Sequence, residues 1–84
     1  MAKQKSLRER QVLDGILNGI VQDKKIHVQS LRKAWESLKG YLNASRLAYF
    51  LRENGVKFTR NAREFLRKQS PRVAKAIPAD LIAA

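Results

Sequence analysis

The sequence predicts a mainly α-helical fold, a compact bundle of four to five short helices with room for a minimal two-stranded ribbon. Apolar residues recur at helical spacing, most clearly as Leu13, Ile16, Leu17, Ile20 and Val21. Extended patterning is confined to two short pieces, at 26–28 and 56–59. With 84 residues, of which 44% are hydrophobic, the chain has the volume for one core and too much apolar content for disorder. Residues 1–84 are therefore read as one small domain.

The elements follow in order. Residues 1–5 form a short basic arm, and Ser6-Leu7-Arg8-Glu9 reads as a capping box, its two side chains each accepting from the other's backbone amide. The first helix should run to about Gln22, followed by a polar turn at Asp23-Lys24-Lys25. Ile26-His27-Val28 is extended, either as a short strand or as a linker. Ser30 caps a second helix with Leu31, Ala34, Trp35 and Leu38 inward, stopped at Gly40. Asn43 and Ser45 are both able to cap the third helix, and Asn54-Gly55 ends it. Its inner face is Ala44, Leu47, Phe50 and Leu51, and Trp35 is expected in the same core as Leu47 and Leu51. Val56 to Thr59 is extended and pairs with 26–28 if a ribbon forms. Asn61-Ala62-Arg63-Glu64 offers the start of a fourth helix, with Ala62, Phe65 and Leu66 inward. Ser70-Pro71 begins one more turn, because proline suits the first helical position, and Pro78 stops it. In the tail, residues 78–84, Leu81-Ile82 either docks on the core or frays.

Charge is the strongest single fact. Eighteen Lys and Arg against seven Asp and Glu give a net charge of +11, spread along the chain instead of gathered in a tail. Such a surplus opposes folding by self-repulsion, so its expected use is a polyanionic partner, nucleic acid above all. There is no cysteine, hence neither a disulfide nor a thiolate metal site. His27 is the only histidine and has no carboxylate pair nearby, so no metal site or catalytic dyad is expected. No phosphate-cradling glycine loop or nucleophile elbow is present, and the reading is non-enzymatic with no cofactor. No apolar run reaches membrane length and no signal peptide is read. The expected setting is the cytoplasm, for a bacterial, phage or plasmid protein.

The third helix carries the candidate contact surface. Its outward side presents Ser45, Tyr49 and Arg52, with Arg46 at the flank. Arginine can take guanine bidentately, serine can reach a phosphate or base edge, and tyrosine can stack or bond a phosphate. The competing account is a solvated face with one stray aromatic. A second basic array comprises Lys57, Arg60, Arg63, Arg67, Lys68 and Arg72, with Arg60, Arg63 and Arg67 on one side of the fourth helix. Such a ladder, with Lys24, Lys25 and the N-terminal arm, suits phosphate oxygens.

Residues 30–58, SLRKAWESLKGYLNASRLAYFLRENGVKF, place two helices around a glycine-bearing turn. In this pattern the chain resembles the helix-turn-helix and winged-helix superfamily, over about a third of its length. Trp35 and Glu36 stand where smaller residues usually precede the turn, so the looser winged-helix form fits better. The resemblance implies that the third helix is a recognition helix whose outer face meets the major groove of double-stranded DNA. The expected function is a small DNA-binding protein, a transcriptional regulator or a replication or mobile-element accessory. The alternatives are an RNA-binding protein and an interaction module for an acidic protein.

Gly15 and Gly19 lie on the first helix away from its apolar stripe. Glycine there destabilises a helix by roughly 1 kcal/mol relative to alanine. Three readings stand side by side: a homodimer contact, a seat for the C-terminal segment, or simple tolerance.

Overall fold

Five α-helices and a three-stranded sheet make up the computed structural model, which describes residues 2–83, with side chains from residue 8 onward. Helix α1 spans Ala2–Ile20 and leads into strands β1 (Val21–Gln22) and β2 (Lys25–Ile26). Helix α2 (Val28–Leu38) continues into a 3-10 turn at Lys39–Tyr41, then α3 (Ala44–Asn54) and strand β3 (Lys57–Phe58). Helices α4 (Arg60–Gln69) and α5 (Pro71–Ala76) precede a closing 3-10 turn at Ala79–Leu81.

The helix boundaries differ from expectation where tertiary pairing overrides a local signal. Helix α1 already runs from Ala2, so residues 2–5 are helical. Ala, Lys and Gln are strong helix formers, which favours that early start. The side chain of Ser6, half of the expected capping box, lies outside the described residues. The helix stops at Ile20, because Val21 and Gln22 pair antiparallel with Ile26 and Lys25. Asp23 and Lys24 make the two-residue connection with φ of 54° and 58°. Two positive φ values in succession define the hairpin turn that matches strand twist, though lysine carries its Cβ there at a cost.

β2 runs parallel to β3, pairing Lys25 with Lys57 and Ile26 with Phe58. The ribbon anticipated between 26–28 and 56–59 therefore forms, as a parallel pair with β1 added on its far edge. The tail docks: Ile82 bridges to Phe58, and the Ala83 amide donates to the Phe58 carbonyl at 2.7 Å.

Helix α2 begins at Val28 behind an extended His27, two residues before the expected cap at Ser30. Gly40 does not end the helical path, which carries on as the 3-10 turn to Tyr41. Helix α4 is capped by the Thr59 hydroxyl, which accepts from the Ala62 amide at 3.2 Å, instead of by Asn61. The boundaries of α3 match the reading. Asn43 caps its start by accepting from the Arg46 amide at 3.0 Å. At its end Gly55 takes φ of 62°, its amide donating to Arg52 while that of Val56 donates to Leu51. Those crossed bonds form the glycine-dependent helix stop.

Fifteen buried side chains form one core, and among the described residues none of the buried ones is polar. Helix α2 packs on α1 and α4, α4 on α5, and α3 on α5 and the closing turn. Trp35 does not join Leu47 and Leu51 at the centre. It is half-buried at the margin, its ring 5.5 Å from that of Phe65 at 87°. Gly15 and Gly19 are exposed and a Cβ on either would meet nothing within 4 Å, so the C-terminal segment does not seat there. Among the described residues no helix is long and apolar enough to cross a membrane.

Phe58→Ala should lose about 3–5 kcal/mol of stability and Trp35→Ala about half of that, because only the first empties a fully enclosed site. Urea denaturation of both variants checks this, and equal losses would put the tryptophan in the core. By the same measurement Lys24→Gly should stabilise the protein by about 0.5–1 kcal/mol, since glycine relieves the left-handed lysine. A loss of stability would contradict the turn geometry.

Candidate nucleic-acid interface

The two caps of α3 fix which way its side chains face. Leu47, Phe50 and Leu51 point into the core, leaving Ser45, Tyr49 and Arg52 exposed along an 11-residue helix. Three of the four candidate side chains on this helix therefore stand where the sequence placed them.

Arg46, at the flank of that face, is only partly exposed. Its Nη2 donates to Asp14 Oδ2 of α1 at 2.6 Å, with the two side chains 19% and 29% exposed. That hydrogen bond is the main reason its pKa is raised above the ordinary arginine value, so it stays cationic. Its guanidinium carbon also lies 4.8 Å over the Tyr49 ring. Arg46 Nε and Asp14 Oδ1 are shielded from solvent and bond nothing among the described residues. To fork onto a guanine, Arg46 would have to abandon a part-buried carboxylate and an aromatic face. Its geometry suits it to holding α3 and Tyr49 in place.

Between α1, the Lys39–Tyr41 turn and the start of α3 lies a cleft of about 570 Å³. Glu9, Arg10, Ser45 and Arg46 line it, together with Tyr41 and Tyr49. The tyrosines are 38% and 51% exposed. The sequence reading missed Tyr41, treating it as part of a connection. An aromatic placed directly after the glycine of a polar turn was the available signal.

Part of the second basic array stands at the sheet. Lys25 and Lys57 are paired across β2 and β3, both exposed, and the Lys57 amide donates to the Lys24 carbonyl at 3.1 Å. Like charges directly opposite each other on neighbouring strands destabilise a sheet. Lys25 also lines a groove of about 860 Å³ with His27, Arg60, Arg63 and Glu64. Arg63 meets Glu64 at 3.6 Å, a contact too exposed to neutralise it fully. Arg67 and Lys68 are exposed further along α4, and Arg72 is exposed on α5. Among the described Lys and Arg, only Lys39, Arg46 and Arg63 have an acidic partner.

Six of the predicted residues thus fall into two groups. Ser45, Arg46 and Tyr49 face the cleft, whereas Lys25, Arg60 and Arg63 line the groove, and the two linings share no residue. Arg52 sits in the last turn of α3, toward the end that leads to Lys57. Among the described residues no three His, Cys, Asp or Glu side chains are grouped to hold a metal ion.

Arg46→Ala should lower stability by about 1–2 kcal/mol by leaving Asp14 without its cation, whereas Arg52→Ala should stay within about 0.5 kcal/mol. Thermal or urea unfolding separates the two, and equal effects would contradict the bridge. Comparison with family models, with curated proteins and with solved structures returns no match, so the interface is read from its own chemistry.

Proposed function

We propose that this chain is a small, non-enzymatic DNA-binding protein, acting in transcriptional regulation or as a replication or mobile-element accessory. The observation that carries the reading is the lysine pair Lys25–Lys57, neighbours across β2 and β3 in a protein of net charge +11. Repulsion built into a fold in this way is relieved by a polyanion. Duplex DNA is favoured because an α-helix such as α3, about 10–12 Å across with its side chains, fits a major groove about 12 Å wide. This use of α2, the Lys39–Tyr41 turn and α3 follows the helix-turn-helix resemblance.

In this reading Ser45 and Arg52 meet base edges, and Tyr49 stands beside them. Lys24, Lys25, Lys57, Arg60, Arg63 and Arg67 neutralise phosphates. Gly15 and Gly19, open to solvent, are the proposed contact of a homodimer, and the cytoplasm of a bacterium or phage host is the proposed setting. Sedimentation as a monomer at high concentration would remove the dimer.

Gel shifts with duplex DNA, single-stranded DNA and RNA at several salt concentrations test the function. Duplex DNA should bind most tightly. Lys25→Ala or Lys57→Ala should weaken all sequences alike and lower the slope of log affinity against log salt by about 0.9. Arg52→Ala should lose about 1–3 kcal/mol on a preferred site and flatten the preference. Binding confined to RNA would replace the reading with an RNA-binding one. Absence of any binding at low salt would point instead to an acidic protein partner.

A further inference from the structure

Tyr41 and Tyr49 are the large hydrophobic side chains left exposed among the described residues, and both line the cleft between α1 and α3. Single exposed aromatics need no explanation, but two converging on one concavity do. At about 570 Å³ the cleft falls within the range of small-ligand sites, roughly 300–1,000 Å³.

Charge indicates what enters. Arg10 is accompanied on the wall by Glu9, and Arg46 is neutralised by Asp14, so the cleft is close to neutral within a protein of +11. A bare phosphate has a better site at Lys25 and Lys57. A neutral planar heterocycle, its attached phosphates left on the surrounding positive surface, fits both the cleft and its setting. The Arg46 guanidinium covers one face of the Tyr49 ring, so the ring is oriented before any ligand arrives. Stacking on such a ring accepts any base, because every base has a π-face. Glu9 at the wall can accept a hydrogen bond from an exocyclic amino group.

We propose that this cleft receives an unpaired nucleobase of a bound nucleic acid, stacked on Tyr49 with Tyr41 as the second wall. The proposal rests on the nucleic-acid reading above and adds a ligand to it: a base flipped from, bulged from or overhanging a duplex.

The test compares a fully paired DNA duplex with the same duplex carrying one unpaired 2-aminopurine, whose emission falls on stacking. The unmodified protein should quench that emission and bind the unpaired-base duplex about tenfold more tightly than the paired one. Tyr41→Ala and Tyr49→Ala should each abolish the quenching and the tenfold preference, while Tyr41→Phe keeps both. Equal affinity for the two duplexes with unaltered emission would overturn the cleft proposal and leave the duplex reading standing. Quenching that survives both alanine variants would overturn it as well. Failure to bind either duplex would remove the duplex reading and this proposal together.

Discussion

The pairing of Ile26 with Phe58 is the contact on which the rest of the structure depends. Both side chains are fully buried, on neighbouring parallel strands only two residues long. Each strand feeds directly into a helix, β2 through His27 into α2 and β3 through Thr59 into α4. The Thr59 amide donates to the Ile26 carbonyl at 3.1 Å, and the Ala83 amide to that of Phe58, so the hairpin, the middle of the chain and its tail are fastened together. The rung also has a consequence outside the core. Side chains alternate along a strand, so burying Ile26 and Phe58 turns Lys25 and Lys57 outward as neighbours. The same packing that stabilises the fold thus sets two lysines beside each other on its surface.

Helix α3 shows a second coupling of fold and surface. Its apolar stripe seats Leu47, Phe50 and Leu51 in the core, and its opposite face is left to solvent. Asp14 reaches across from α1 to Arg46, and Arg46 in turn backs Tyr49. One of only seven acidic residues is therefore used inside the molecule, on a bridge that sets a tyrosine beside a cleft.

Legibility in the sequence followed the range of the interactions concerned. The bounds of α3 were readable because Asn43 and Gly55 act on amides within a few residues. The apolar spacing of Leu13 and Leu17, and of Leu31 and Leu38, was equally local, and all four are buried. The end of α1 and the start of α2 were misplaced because Val21 leaves its helix for a partner at Ile26. The direction of the β2–β3 pair was not readable at all, since two-residue strands carry no pattern from which to infer it. Among the candidate contacts, Tyr49 and Arg52 were recognisable from the helical wheel. The fate of Arg46 was not, because Asp14 lies 32 residues away and nothing in the spacing links them. Tyr41 did not stand out because the cleft it lines is formed by three separate elements.

The central claim is that a duplex lies along the outer face of α3 and the lysine-bearing edge of the sheet. Amide chemical-shift mapping on ¹⁵N-labelled protein, titrated with a short DNA duplex, tests it residue by residue. The account predicts the largest changes at Ser45, Tyr49 and Arg52 and around Lys24, Lys25 and Lys57, with Gly15 and Gly19 unmoved at subunit concentrations too low to associate. Changes confined to α1, or none at saturating duplex, would contradict it.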